Sequence, residues 1–298
     1  MKSYTLNIAS YKIRFENPSG DIELMPSERF SSYISRDDRV NYDICIRVFT
    51  DDGGLPSDAS KVFSAPYVEE INGIRIKKNE KFWSVYKKEK DLYLLSNFPF
   101  TREDRSGILR FSIENNVWDL YMRGAGHSFD PMEYPFDGLI LYYLTVMHGD
   151  IMIHASGVNY EGKGYIFSGI SGKGKTTIAG LWYNKGAQII HDDRLIIRKT
   201  DSGYSMYNTP VYRNDQARES AVNSIFLIDH GTENRILPLK GADAITSLIS
   251  NCIQHNWSEV IIKKMLNSAI NVCISVPVYN LWFRPDIAIT SYILQHEK

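Results

Sequence analysis

Residues 165–176 read Tyr165-Ile166-Phe167-Ser168-Gly169-Ile170-Ser171-Gly172-Lys173-Gly174-Lys175-Thr176, and they decide the fold of the half of the chain they sit in. Gly169 to Thr176 satisfies G-x-x-x-x-G-K-[ST], a pattern that composition alone yields in about one chain of this length in a hundred. Tyr165-Ile166-Phe167 is an apolar strand running into the loop, and residues 177–186 (TIAGLWYNKG) have the pattern of a helix leaving it. A strand, a glycine-rich loop and a helix in that order make a phosphate-binding loop. Glycines let the backbone turn N–H groups inward around an anion, and the new helix presents its positive end to the same anion. The expected nucleotide contacts are Gly169, Ser171, Gly172, Lys173, Gly174, Lys175, Thr176 and Thr177. Lys175 is the point charge for the β and γ phosphates, and Thr176 a hydroxyl ligand for Mg²⁺.

Working outward, the apolar run Gln188-Ile189-Ile190-His191 ends in Asp192-Asp193, the first of the pair lying sixteen residues after Thr176. One helix and one return strand fill that interval, which brings the pair back beside the loop. Carboxylates there suit two tasks, Mg²⁺ support and acceptance of a hydroxyl proton, and because neighbours on a strand point to opposite faces Asp192 and Asp193 need not share a role. Alone, Asp-Asp between strands is an ordinary turn; the phosphate loop upstream favours the catalytic reading. His154 lies on the strand before the loop strand, in residues 151–158, and a hairpin at 160–164 aims it at the same place. A histidine in an apolar strand is also an ordinary core or edge residue. Lys173, Arg194, Arg213 and Arg218 are the candidate cations for charge on a transferring phosphoryl group.

The rest of the chain separates into a β-rich region, 1–128, and an α/β region, 129–298. The first holds short β-branched and aromatic runs at 11–15, 42–49, 71–78, 81–88, 91–96, 108–113 and 117–123, divided by turn residues such as Asn72-Gly73. Consecutive hairpins are the expected topology, and acceptor recognition or an oligomer contact the expected role. In the second, strand and helix patterns alternate from 151 onward after a helix over 134–147.

Composition narrows the classes. The chain has 298 residues, a net charge of −1, 43% hydrophobic and 23% charged residues, which is not the make-up of a disordered chain. Near-neutral charge argues against a general nucleic-acid binder. The most apolar stretch, Leu139 to Met147, is nine residues against the ~20 a membrane helix needs. Three scattered cysteines, Cys45, Cys252 and Cys273, make no framework, and the start of the sequence has no secretory pattern. A cytoplasmic protein without membrane or nucleic-acid partners is expected.

Residues 154–193, H-A-S-G-V-x9-S-G-I-S-G-K-G-K-T-T-x8-G-x5-D-D, resemble the catalytic domain of HPr kinase/phosphorylase and its serine-kinase relatives. The loop is also similar to that of ATP-dependent phosphoenolpyruvate carboxykinase. The resemblance implies a mixed α/β core of that shared fold, use of Mg·ATP, and γ-phosphoryl transfer to a hydroxyl with Asp193 as base. After Asp193 there is no counterpart of the glycine-rich signature segment with its metal-binding Glu, so the likeness does not extend to the HPr substrate, the phosphorylase activity or the hexamer. The leading expectation is an ATP- and Mg²⁺-dependent kinase acting on a Ser/Thr hydroxyl of a peptide or protein, or on a small hydroxylated metabolite. The alternatives are a nucleotide-regulated binding module with weak ATPase activity and a carboxykinase-like enzyme.

Overall fold

The computed structural model describes residues 1–35, 41–50, 53–65, 70–71, 74–75, 83–97, 105–124, 126, 128–213 and 215–296. Asp52, the Asn72-Gly73 turn and Ala125 lie outside them. The chain divides into two units, Met1–Tyr143 with Tyr212–Asp215, and Leu144–Val211 with Gln216–Lys298. This division falls inside a helix, whereas the sequence pattern placed the boundary ahead of it, after residue 128.

The first unit carries β1 (Ser3–Ile8), β2 (Tyr11–Glu16), β3 (Glu23–Leu24), β4 (Ile44–Phe49), β5 (Ser60–Ser64), β6 (Glu70–Ile71), β7 (Ile74–Arg75), β8 (Trp83–Lys88), β9 (Asp91–Asn97), β10 (Ser106–Phe111), β11 (Val117–Arg123) and β12 (Ser128–Phe129). Eight of these form one sheet in the order β1-β2-β4-β11-β10-β9-β8-β5. The β8/β9 and β10/β11 hairpins are antiparallel as the turns require. The expectation of consecutive hairpins fails at β4, which lies parallel to both β2 and β11. Nothing local in the sequence marks a crossover of that length. Alternation puts Tyr11, Ile13 and Phe15 in the core and leaves Lys12, Arg14 and Glu16 partly exposed on the other face.

Helix α1 (Phe136–His148) follows, and Gly149, at φ +74°, turns the chain out of it in the left-handed conformation common at helix ends. The second unit continues with β13 (Ile151–Tyr160), β14 (Lys163–Ser168), α2 (Lys175–Asn184), β15 (Gln188–His191), β16 (Arg194–Thr200), β17 (Gly203–Asn208), β18 (Glu219–Ala221), β19 (Ser224–His230), β20 (Arg235–Leu239), α3 (Gly241–Ser250), α4 (Glu259–Ser275), β21 (Val278–Phe283) and α5 (Ala288–His296). Its mixed sheet runs β18-β17-β16-β13-β14-β19-β21-β20, with β15 also on β13. The half from β18 to β14 is antiparallel, and β14, β19 and β21 are mutually parallel.

Both faces of this sheet are covered, so its central strands are apolar on both sides. Ile166, Ile225 and Leu227 pack with Leu248, Ala269 and Val272 of α3 and α4. Tyr165, Phe167, Phe226 and Ile228 pack with Ile178 and Trp182 of α2 and Ile289 and Ile293 of α5. Trp182 is fully buried and stacks on Tyr165 at 5.0 Å. Each such side chain stabilises by about 2–3 kcal/mol, and together they fix the helix that begins at the loop.

Candidate functional site

β14 ends at Ser168, and the loop leaves the sheet at Gly169. A Cβ there would stand 3.0 Å from the Ile228 carbonyl oxygen, so a side chain fits only if the backbone of β19 gives by a few tenths of an ångström. Gly172 and Gly174 sit at φ +83° and +91°, where an L side chain is strained by about 1–2 kcal/mol. Gly174 is the N-cap of α2 and supplies no side-chain cap, so the helix's first N–H groups are left to an outside acceptor. Lys175 is buried, and its Nζ donates to the carbonyls of Gly169 (2.7 Å) and Ile170 (3.2 Å). Burial lowers the pKa of its ammonium, and the negative charge of Asp193 partly restores it. Ser171, Gly172, Thr176 and Thr177 are exposed. Left-handed glycines, a helix start without a cap and a lysine folded onto the loop make a donor set that fits a polyphosphate.

The Asp pair is not a chain reversal. β15 and β16 run one after the other along the same side of β13, and Asp192-Asp193 is the bend between them. The registers Gly157↔His191 and His154↔Arg194 leave Asp192 and Asp193 opposite Ser156 and Ala155. One residue earlier, Ile190 is extra in the ladder, between the Gly157↔His191 and Val158↔Ile189 pairs. The His191 ring holds the bend: its Nδ1 accepts the backbone N–H groups of Asp193 (3.0 Å) and Arg194 (3.2 Å). The sequence reading gave His191 no role.

The β13/β14 hairpin forms with Tyr160 opposite Lys163, and it sets His154 level with the start of the loop. Ser168 Oγ donates to the His154 carbonyl at 2.8 Å, tying the two strands at this level. His154 Nδ1 lies 2.8 Å from the Asp193 carbonyl oxygen and 3.4 Å from Asp193 Oδ1. Both neighbours are acceptors, so Nδ1 carries the hydrogen and donates it. Asp193 Oδ2 also takes a hydrogen bond from Arg194 Nε at 3.2 Å. The contact with His154, with Arg194 adding to it, holds the Asp193 carboxyl down at about 2 despite partial burial.

β19 supplies two groups that the sequence reading passed over. Its register with β14 (Ser168↔Leu227) brings Asp229 and His230 alongside the loop. Lys173 Nζ donates to Asp229 Oδ1 at 2.7 Å, and His230 Nε2 meets the Gly172 carbonyl at 2.9 Å. The sequence shows four apolar residues, Ile225 to Ile228, before the Asp; the parallel pairing with the loop strand that gives the Asp its place is seen only in the structure.

Of the four candidate cations, Lys173 and Arg194 lie in this cluster. Arg218 reaches the Ile190 carbonyl at 3.3 Å, and Arg213 pairs with Glu28 in the first unit. Among the described residues no three His, Cys, Asp or Glu side chains converge as a metal cage. No helix among the described residues is long and apolar enough to cross a membrane.

No family model and no curated protein matches the chain. Among solved structures it is similar to the Hpr(Ser) kinase/phosphatase from Coxiella burnetii, at 11% identity and a TM-score of 0.29, over 49% of this chain and 99% of that one.

Proposed function

We propose that the second unit is a Mg·ATP-dependent phosphotransferase acting on a hydroxyl. The observation that carries the reading is the meeting of three separate segments: the glycine loop after β14, the ionised Asp193 in the bend after β15, and His154 on the strand between them. Gly169, Ser171, Gly172, Lys173, Gly174, Thr176 and Thr177 hold the nucleotide phosphates, and Lys175 leaves the loop carbonyls for the β and γ oxygens. Thr176 and Asp192 support Mg²⁺. Bound Mg·ATP supplies the γ-phosphoryl group and the metal charge that neutralises its oxygens.

The acceptor oxygen forms the new P–O bond as the bond between the γ phosphorus and the β–γ bridging oxygen breaks, and ADP leaves. The hydroxyl proton passes to Asp193. A carboxylate held at about 2 is ionised throughout the physiological range, so the base is always in its working form. It is also a weak base, which places proton transfer late, when the attacking oxygen has become acidic by bonding to phosphorus. His154 and Arg194 keep the carboxylate oriented.

The test is incubation with γ-labelled ATP, Mg²⁺ and cell extract, separating label in protein from label in small molecules and in inorganic phosphate. Label in a hydroxyl ester, in either fraction, supports the proposal. Label confined to inorganic phosphate overturns it in favour of an ATPase-type binding module.

A further inference from the structure

Lys173 is flanked by the two left-handed glycines of the loop, and its ammonium is 2.7 Å from Asp229 Oδ1. The same oxygen accepts the His230 N–H at 2.7 Å, so the carboxylate is anchored by its own backbone while it holds the lysine. His230 Nε2 faces a carbonyl and therefore donates to it, fixing Gly172 from the same strand end. The end of β19 thus grips the loop twice, once through backbone and once through a side-chain charge.

The two grips differ in how readily they let go. The Lys173–Asp229 pair is open to water, with side-chain exposures of 29% and 47%. Separating it leaves neither charge stranded in a dry interior. A polyphosphate offers more negative charge and more acceptor oxygens than one carboxylate, and a lysine ammonium on a flexible stem can turn from one to the other. The His230 contact holds backbone, so the loop keeps its shape while Lys173 changes partner.

Resting on the reading of the loop as a polyphosphate site, we propose that Lys173 is a second phosphate-binding cation, and that Asp229 is a positioning residue that holds its ammonium at the loop and yields it to the entering phosphate. Asp229 then competes with the ligand for one cation. It sets affinity through Lys173 and not by its charge alone.

Calorimetry of inorganic tripolyphosphate binding to the full chain tests this with four proteins: wild type, Asp229→Asn, Lys173→Met and the double variant. Thermal unfolding of each checks that all are folded. Asp229→Asn is expected to tighten binding roughly two- to fivefold, the scale of a solvent-exposed ion pair. Lys173→Met weakens binding, and in that background Asp229→Asn adds nothing. Equal tightening in both backgrounds means simple charge repulsion and overturns the proposal, as does weaker binding by Asp229→Asn. In both cases wild-type binding leaves the loop reading intact. A wild type that binds no tripolyphosphate removes the loop reading and this proposal together.

Discussion

Each unit carries a group of charged side chains on a sheet, and the two groups are built oppositely. In the first unit, cross-strand register sets Glu16, Arg47, Asp119, Arg110, Tyr93, Tyr86 and Lys61 in a single row across seven strands. Partners there are neighbours: Arg47 binds Asp119 at 2.7 Å, Arg110 binds Asp91 at 2.6 Å, and the Lys61 ammonium sits 5.2 Å from the Tyr86 ring centroid. In the second unit the charges lie at strand ends and bends, with Asp193 influencing Lys175 and Asp229 holding Lys173. Charges on the face of a sheet find partners on the strands beside them, Arg47 directly opposite Asp119 and Arg110 on the diagonal to Asp91. Groups gathered where strands stop have no such neighbour on the open side, and a ligand can be shared among them. Position along the strand, more than the residue types, separates a solvated face from a site.

Substitutions sharpen this contrast, the largest effect first. Asp193→Asn keeps the shape of the bend and removes the base, so phosphoryl transfer to the acceptor falls by roughly a hundred- to ten-thousandfold with little change in nucleotide affinity. Single-turnover rates and calorimetry together check this. A near wild-type rate would reduce the bend to a structural feature like the row in the first sheet. Asp192→Asn differs in that added Mg²⁺ partly restores its rate.

Next, Lys175→Ala weakens Mg·ATP binding by roughly ten- to a hundredfold, the scale of hydrogen bonds to a charged group. Unchanged affinity by calorimetry would sink the phosphate assignment of the loop.

His154→Ala removes the first support of the low Asp193 value, so its carboxyl titration moves from about 2 toward the ordinary carboxylate range near 4, by roughly one unit. Carboxyl ¹³C shifts report it directly. The sign for stability follows from linkage. A carboxyl depressed on folding stabilises fully above about pH 4, and that contribution is lost as pH falls through about 2. The variant therefore unfolds at a higher pH in acid titration followed by circular dichroism. An Asp193 titration unmoved in His154→Ala would dissolve the pair.

The smallest effect belongs to the first unit. Arg110→Ala breaks an exposed pair and costs under about 1 kcal/mol, with nucleotide binding untouched. A large loss of phosphoryl transfer there would erase the distinction between row and site.

The loop, the helix behind it and the interval to the Asp pair were legible in sequence because each depends on local residues: glycines for left-handed backbone, an apolar run for each strand, and a count of residues between them. The two hairpins of the first unit were legible for the same reason. What escaped were relations between distant segments. β4 lies parallel to β2 and β11 through connections that leave no local mark. The edge strand β18 is only three residues long, with the polar Ser220 as its buried position, and β20 exposes Leu237 and Pro238 in succession, so neither carries an apolar alternation. Asp229 and His230 are ordinary residues until β19 is known to lie beside β14. His191 reads as one more residue of an apolar strand until its ring is seen to accept two backbone N–H groups.

The extra residue Ile190 has a bearing on how this site tolerates changes in chain length. From Thr176 onward, α2, β15 and the bend form a measured path, and both ends are pinned, one by the packing of Trp182 and the other by β13. Ile189 and Ile190 pack into the cores on opposite faces of the sheet. Deleting Ile190 takes its side chain out of the core and closes the bulge, so that Val158↔Ile189 and Gly157↔His191 follow one another and Asp193 keeps its place on β13. The turn at Lys185-Gly186 is different. Gly186 is exposed at φ +99° with open space around it. Insertions enter there without touching either anchor. The distance from loop to carboxylate is thus kept by the strand, and any lengthening of this segment that preserves the site has to be absorbed at that one turn.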